Sequence, residues 1–336
     1  MLTETDHCYR KTGAGYLPNL VTALLLIISI ASISASQTVA TAEAYVERGN
    51  QLFKYGYLDQ AIADYTKAIE LKPTLPDAYN NRGLAYNWQK KWQLAIADLS
   101  KAIQLSPQNP LYYKNRAVAY SSVNLDLALA DLAMALKYDP KDASTWNAKG
   151  LIRVKNGSGS GYLFSIDDFS EAIKLRPDYA EAYKNRGDSY RQGQKYELSI
   201  ADYTKAIQLR PDYSDAYSGR ARAYKLKYDF EPAIADITRA IQLQPKVGLY
   251  YYERAQIYLK RSGGELITDY YGGKRPDIAS VELAIADLTT AIQLRPDTAK
   301  FITRARAYCL LGRKDLAAAD VQKATELGAK NVTNCQ

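Results

Sequence analysis

The 336-residue sequence contains a single histidine, His7, which lies ahead of the one long apolar segment. Histidine is the side chain best suited to acid–base catalysis near neutral pH and is a common zinc ligand, so both chemistries are disfavoured. The three cysteines, Cys8, Cys309 and Cys335, are too few and too scattered for a zinc site or a disulfide framework. We therefore predict no catalytic residue, no metal site and no cofactor.

The sequence also lacks a glycine-rich phosphate loop and any run of Lys or Arg. Its net charge of +8 is therefore dispersed, which mildly favours acidic partners or anionic surfaces. Tyrosine is abundant instead, with 29 residues against five Phe. Most of these tyrosines have core-facing spacings rather than positions where they could stack on bases, so we expect no nucleic-acid partner.

An uncharged stretch, residues 12–42, follows Arg10 and Lys11. Its most apolar part, LVTALLLIISIASI at 20–33, is shorter than the roughly twenty residues that a membrane-spanning helix usually needs. The small residues Ala40-Thr41-Ala42 resemble a signal-peptide cleavage site. We predict that residues 1–41 are a signal peptide or an uncleaved membrane anchor, and that membrane contact occurs only through them.

Either form of this segment sends the rest of the chain to the non-cytoplasmic side, because the basic pair stays inside. The expected location is therefore exported (periplasmic, lumenal or secreted) or membrane-anchored. Two interpretations of Cys309 and Cys335 stay open: a disulfide if the chain is exported, or two unpaired thiols with Cys309 packed in a helix.

Downstream of the apolar segment the sequence repeats with a spacing near 34 residues. In the second copy, Tyr79 and Gly83 share one face of a helix, and Ala95 and Ala102 share one face of a second helix. Pro107 then ends that second helix, because proline cannot continue the helical hydrogen-bond ladder. Each copy is therefore predicted to be an antiparallel helical hairpin.

Eight copies share one order of residue types: an aromatic, a Gly or Ala four residues later, and two small residues seven apart on the second helix. The aromatics are Tyr45, Tyr79, Tyr113, Trp146, Tyr183, Tyr217, Tyr251 and Phe301. This order resembles the tetratricopeptide repeat (TPR) over residues 42–329. The resemblance implies an all-α, right-handed superhelical solenoid of antiparallel helix pairs, followed by a polar tail at 330–336.

Two insertions, at about 156–161 and 262–280, separate the first and second helices of copies four and seven. They are either tolerated surface loops or a contact site on one rim, the latter using Tyr270, Tyr271, Lys274 and Arg275. Copy eight lacks a closing proline and a capping helix. We therefore expect an exposed apolar face there, which would allow self-association through the C-terminal repeat.

A basic residue precedes the small residue of every first helix, and an Asp recurs on every second helix. Both lie on or beside the packed stripes, where an unpaired charge is costly. We predict a structural ion-pair ladder that joins either the two helices of a copy or one copy to the next. The predicted members are Arg48 and Asp64, Arg82 and Asp98, Arg116 and Asp131, Arg186 and Asp202, and Arg220 and Asp236.

Proteins that resemble this chain generally hold an extended peptide or a partner helix in a concave groove lined by the first helices. Asparagine amides can pair with a peptide backbone, and Lys or Arg attracts acidic groups, so polar first-helix residues are the candidates. They are Asn80, Asn81, Lys114, Asn115, Asn147, Lys184, Asn185, Arg191 and Lys225.

The expected function is a non-catalytic protein–protein interaction scaffold for a protein or peptide partner, with an acidic partner favoured by the charge. The alternative is a self-associating assembly subunit at the membrane. Asn50 and Asn81 also resemble part of the carboxylate clamp of chaperone-binding repeats, but Val46 stands where that clamp needs Lys. An enzyme is disfavoured because the repeats contain no nucleophile–His pair.

Overall fold

The computed structural model describes residues 41–155, 161–263, 276–330 and residue 335. Within those residues the chain forms sixteen α-helices and no β-strand, which confirms the predicted all-α class. It divides into two compact units, Met1–Arg176 (unit 1) and Pro177–Gln336 (unit 2). The predicted signal segment and most of the two predicted insertions lie outside the described residues.

Each unit contains four helical hairpins, and each odd-numbered helix packs against the even-numbered helix that follows it. Unit 1 contains α1 (Ala42–Lys54), α2 (Leu58–Leu71), α3 (Pro76–Trp88), α4 (Trp92–Leu105), α5 (Pro110–Tyr120), α6 (Leu125–Tyr138), α7 (Ala143–Lys155) and α8 (Gly161–Leu175). Unit 2 contains α9 (Ala180–Gln192), α10 (Tyr196–Leu209), α11 (Ser214–Leu226), α12 (Phe230–Leu243), α13 (Gly248–Arg261), α14 (Ile278–Leu294), α15 (Thr298–Leu310) and α16 (Lys314–Glu326). The predicted helix pairs are confirmed.

Individual residues fix where a helix begins and where a hairpin turns. Pro110 starts α5, where its missing N–H is not needed, and the Asn109 side chain caps that helix by accepting a hydrogen bond from the Leu111 amide at 3.0 Å. In the first two hairpins, the turn contains one residue with positive φ. Gly56 supplies it at 84°, whereas Lys90 adopts 59° at the equivalent position.

Small residues let the two helices of a hairpin approach closely. A Cβ atom on Gly83 would lie 2.7 Å from Leu99 Cγ, and one on Gly49 would lie 2.6 Å from Tyr65 Cε1. Leu99 and Tyr65 are themselves buried. The aromatic or aliphatic side chain of the second helix therefore fills the space that the absent side chain leaves, as close packing requires.

The outer face of the last hairpin differs from that of the hairpins before it. In α14, Ile285 packs against the next hairpin, and in α12 Ile241 packs against Tyr250. At the equivalent positions of α16 the chain carries Ala318 and Thr325, and both are exposed. Smaller and polar residues therefore replace the isoleucines that stack one hairpin on another, while Leu316 and Leu327 of the last hairpin are 48% and 51% exposed.

Cys309 in α15 and Cys335 are joined by a disulfide that spans 26 residues of sequence. The chain turns back after α16 at Gly328, whose φ is 94°, and the Ala329 amide donates to the Ala324 carbonyl at 2.9 Å. Of the two interpretations of these cysteines, the structure therefore selects the disulfide.

Candidate interaction surface

The predicted Arg–Asp pairs all join the two helices of one hairpin. In the second hairpin, Arg82 Nε donates to Asp98 Oδ2 at 2.7 Å and Nη2 donates to Oδ1 at 2.8 Å. The same two-pronged geometry holds Arg48 to Asp64, Arg116 to Asp131, Arg186 to Asp202 and Arg220 to Asp236. It also appears in Arg254 with Asp287 and Arg304 with Asp320.

The same arginines also link one hairpin to the one before it. The third guanidinium nitrogen of Arg82, Nη1, donates to Thr66 Oγ1 of the preceding second helix at 3.0 Å. Equivalent bonds join Arg116 to Ser100, Arg220 to Thr204, Arg254 to Thr238 and Arg304 to Thr289. Both predicted alternatives therefore occur in one side chain. Sequence reasoning missed the hydroxyl, although a Ser or Thr stands two residues after the aspartate of the preceding second helix in all five cases: Asp64, Asp98, Asp202, Asp236 and Asp287.

Aromatic rings flank the guanidinium groups on the first helices. Arg116 lies 5.9 Å from the ring centre of Tyr113 and 5.6 Å from that of Tyr120. Hydrogen bonding to Asp131 raises the pKa of Arg116 above its usual value, against the opposing effect of burial. These cations are therefore neutralised and enclosed, so they belong to the fold and not to a binding surface.

Four of the asparagines on the first helices of unit 1 form a continuous chain of side-chain amides. Asn115 Nδ2 donates to Asn80 Oδ1 at 2.7 Å, and Asn80 Nδ2 donates to Asn81 Oδ1 at 2.8 Å. Asn81 Nδ2 then donates to Asn50 Oδ1 at 2.8 Å. The chain runs across α5, α3 and α1, so it joins three consecutive first helices.

Three residues of the predicted groove in unit 1 are buried. Asn80 and Asn115 are only 3% and 1% exposed, and Asn147 is also buried, so these amides hold helices together and do not face a partner. Lys114 Nζ pairs with Asp142 Oδ2 at 2.8 Å and with Ser144 Oγ at 3.0 Å. Asn81 stays half-buried beside them and reaches solvent.

The candidates in unit 2 form a charged group around Asp188 on α9. Lys184 Nζ lies 2.8 Å and Arg191 Nη2 lies 3.3 Å from its carboxylate, and the Tyr203 hydroxyl donates to it at 2.6 Å. Burial works to raise the pKa of Asp188, but these cations and the hydroxyl lower it below its usual range.

The other two candidates of unit 2 lie apart from this group. Asn185 is half-buried on the same helix, and Lys225 on α11 donates to Gln256 Oε1 at 3.2 Å.

Comparison with known families decides the identity of the hairpins. The model of the TPR repeat matches residues 49–89 and 187–227, and the model of the tetratricopeptide repeat matches residues 76–109. The chain is built from tetratricopeptide repeats. The predicted resemblance is thus confirmed, and the sixteen described helices correspond to about eight TPR hairpins.

Solved TPR structures share this fold. A tetratricopeptide repeat protein from Parabacteroides merdae is 18% identical, with a TM-score of 0.58 over 84% of this chain and 98% of its own. The C-terminal part of a TPR protein from Cytophaga hutchinsonii is 18% identical, with a TM-score of 0.55 over 75% of this chain and 95% of its own. pilF from Pseudomonas aeruginosa is also 18% identical, with a TM-score of 0.52 over 61% and 92%. No curated protein matches the sequence significantly.

The fourth TPR hairpin replaces the usual arginine and the second tyrosine but keeps the aspartate. Lys149 stands at the arginine position and Arg153 at the position of the second tyrosine. Both contact Asp168, with Lys149 Nζ at 3.2 Å and Arg153 Nη1 at 2.7 Å. Two cations on one helix therefore supply the two contacts that one guanidinium supplies elsewhere.

A row of aliphatic residues on the TPR first helices of unit 1 was missed by sequence reasoning. Leu84, Val118 and Leu151 occupy one repeat position, and Val118 and Leu151 are 42% and 46% exposed. Their near-34-residue spacing was the available signal. Together with Asn50 and Asn81, they form what we call the first-helix surface of unit 1.

The described part of the chain offers neither a metal site nor a membrane-spanning helix. No group of three or more His, Cys, Asp or Glu side chains there is arranged to hold a metal ion. Among the helices of these same ranges, none combines the length and the apolar character needed to span a bilayer.

Proposed function

We propose that this TPR protein is a non-catalytic interaction scaffold, exported or membrane-tethered, that binds an extended segment or a helix of a partner protein on its first-helix surface. Proteins built from these repeats generally bind protein or peptide partners. The observation that carries the assignment is the exposure of Val118 and Leu151 on successive first helices, beside amides that can pair with a backbone. Aliphatic side chains beside such amides offer a partner both apolar contact and backbone hydrogen bonding.

Two features support location outside the cytoplasm. The N-terminal sequence reads as an export signal or anchor, and Cys309 and Cys335 are paired. Disulfides persist mainly in oxidising compartments, because reductants of the cytosol keep thiols reduced. A membrane-tethered scaffold and a released one differ only in whether residues 1–41 stay attached.

The test compares two double variants of the full-length chain. Each variant is mildly cross-linked to its partners and then purified in the form that the cell produces. Val118→Ser with Leu151→Ser removes the aliphatic row from the first helices. Leu94→Ser with Leu127→Ser is the matched control, because these residues are 49% and 45% exposed but lie on second helices. We expect the first variant to lose cross-linked partner proteins and the control to keep them. Recovery of the same proteins with both variants rules out the first-helix surface.

A further inference from the structure

The first-helix surface of unit 1 carries no charged residue at two repeat positions on α3, α5 and α7. One position holds Leu84, Val118 and Leu151, and the position three residues earlier holds Asn81, Asn115 and Ala148. The side chain of Lys114, just before Asn115, is only 12% exposed, and its Nζ lies 2.8 Å from Asp142 Oδ2. A partner therefore meets aliphatic and amide groups at these positions, and attraction to an acidic segment has no source there.

The aliphatic part of this surface continues along α5. Leu111 and Val118 are seven residues apart, so they lie on the same side of that helix, and they are 38% and 42% exposed. Leu151 lies on α7, which packs beside α5 and is held to it by a hydrogen bond of 2.6 Å from Lys155 Nζ to the Ser121 carbonyl. The three aliphatic side chains therefore form one patch on two adjacent first helices.

Backbone hydrogen bonding distinguishes the two kinds of partner segment. An extended segment needs new partners for its N–H and C=O groups along its whole length, whereas a helix satisfies most of its own. The only side-chain amides of α5 and α7, Asn115 and Asn147, are 1% and 7% exposed. The hydroxyl groups of Ser121 and Ser144 already donate to a carbonyl and a carboxylate of the chain itself. The aliphatic patch therefore suits a helix better than an extended segment.

The amides that reach solvent lie at the other side of the surface, on α1 and α3. Asn50 and Asn81 are half-buried, and Asn81 Nδ2 donates one hydrogen to Asn50 Oδ1 at 2.8 Å. Within the described residues neither amide nitrogen makes another hydrogen bond, so both have N–H groups for a partner. The last carbonyl groups of a helix lack partners inside the helix. These amides are therefore suited to the C-terminal end of a bound helix.

We infer that the first-helix surface of unit 1 binds the aliphatic face of an amphipathic partner helix, whose C-terminal end lies beside Asn50 and Asn81. This rests on the proposed function and selects the helix from its two alternatives. Residues seven apart advance about 10.5 Å along a helix, close to the roughly 8–10 Å between packed helices. Apolar residues at i and i+7 therefore contact successive first helices, and about two heptads span α3, α5 and α7.

The experiment measures binding of fluorescein-labelled peptides to the full-length chain, purified in the form that the cell produces. The probe is a helix of about eighteen residues with a leucine stripe on one face and balanced Glu and Lys elsewhere. One control peptide has the same composition with the leucines spread around the helix, and a second has two central prolines at polar positions, which prevent the helix.

We expect the amphipathic peptide to bind about ten-fold more tightly than either control by fluorescence anisotropy, with less than about two-fold change on adding sodium chloride, because no charge pair is involved. Equal binding of the proline peptide would mean that the occupant is extended, and equal binding of the peptide with scattered leucines would mean that no face is recognised. Either result overturns the proposal.

Three double variants locate the site. Val118→Ser with Leu151→Ser should weaken binding of the amphipathic peptide about ten-fold, whereas Val118→Ile with Leu151→Met keeps the apolar character and should retain it. Leu94→Ser with Leu127→Ser, on second helices, is the matched control and should also retain it. An equal loss in this control would show non-specific apolar association, and the proposal would be wrong.

Two further measurements test the orientation and the occupant. A benzophenone at the C-terminal end of the peptide should photolabel α1 or α3, and one at the N-terminal end should label α7, as identified by mass spectrometry. The reverse pattern contradicts the assigned orientation. Self-association of the chain in light scattering that Val118→Ser with Leu151→Ser abolishes would make a second copy the occupant, which also overturns the proposal.

Failure of this proposal is distinguishable from failure of the proposed function. If the amphipathic peptide shows no preference but Val118→Ser with Leu151→Ser still abolishes partner cross-linking, the helix proposal is wrong and the scaffold stands. If the peptide shows no preference and cross-linking is unchanged as well, both are wrong.

Discussion

At the scale of single residues, the recurring arginine explains why aspartates and tyrosines recur with it in the repeats. Five of these guanidinium groups each bond an aspartate of their own hairpin and a hydroxyl of the preceding one, as Arg82 does with Asp98 and Thr66. Tyrosines three residues before and four residues after it cover its faces, as around Arg116. The basic residues therefore stabilise the fold, and the net charge does not by itself describe the binding surface.

Loss of one ladder aspartate is expected to be costly. Asp98→Ala leaves Arg82 partly buried without its counter-charge, so the free energy of unfolding should fall by about 3–5 kcal/mol in urea denaturation. Glu70→Ala is the control, because Glu70 pairs with Lys67 on the surface and should cost under about 1 kcal/mol. A similarly small loss for Asp98→Ala would show that the ladder is only a surface feature.

Replacing one turn residue by glycine is expected to make the protein more stable. Lys90 has a φ of 59°, a conformation that L-residues other than glycine rarely adopt, whereas Gly56 and Gly312 fill the equivalent turns. Lys90→Gly should raise the stability by about 1 kcal/mol, seen as a higher thermal midpoint in circular dichroism. Lys91→Gly is the matched control, since Lys91 has a φ of −88° and should gain nothing. An equal response of both positions contradicts the strain argument.

At the scale of secondary-structure elements, buried polar side chains connect first helices that lie one repeat apart. Asp142, just before α7, accepts hydrogen bonds from Lys114 on α5 and from the Ser144 and Thr145 hydroxyl groups. Burial alone would raise the pKa of Asp142, but these hydrogen bonds and the charge of Lys114 hold it well below its usual range. The connection between α5 and α7 therefore depends on an ionised carboxylate.

The lowered pKa of Asp142 predicts that the connection between α5 and α7 weakens in acid. A carboxyl group whose pKa is lowered by folding stabilises the native state above its unfolded pKa, near about 3.9, and this stabilisation is lost as the pH falls towards the folded value. Below about pH 4, Asp142→Asn should therefore lose less stability per pH unit than the unmodified chain. Thermal midpoints measured between neutral and acidic pH test this. Parallel curves would show that Asp142 does not contribute.

At the scale of the whole molecule, two compact units each stack four TPR hairpins, and the last hairpin ends the array with smaller and polar residues on its outer face. Ala318 and Thr325 stand where other second helices carry isoleucine. Self-association through this end stays a prediction, and Leu316 and Leu327 are the exposed large apolar residues there. The Cys309–Cys335 disulfide ties the end of the chain back to α15.

The disulfide is expected to stabilise the last hairpin. Its 26-residue separation restricts the unfolded chain, so reduction should cost about 3 kcal/mol on a chain-entropy estimate. Dithiothreitol should lower the thermal midpoint of the unmodified chain but not that of Cys309→Ser. Cys8→Ser is the control and should respond to the reductant as the unmodified chain does. A thermal midpoint that dithiothreitol leaves unchanged in the unmodified chain and in both variants would exclude a stabilising disulfide.

The sequence by itself determined the helix pairs, the hairpin boundaries and the identities of the ladder residues. These follow from the 34-residue period and from helical spacing, which are local properties, and Pro107 or Gly83 can be interpreted without knowing any distant contact. Only the tertiary structure decided that Arg82 also reaches Thr66, that Asn80 and Asn115 are buried, and that the aliphatic row with Val118 is exposed. Each of these depends on how one hairpin packs against the next. Arg82 and Thr66 lie 16 residues apart in sequence, and Asn80 and Asn115 lie 35 apart. Position within a helix alone does not show whether a polar side chain faces that contact or faces solvent.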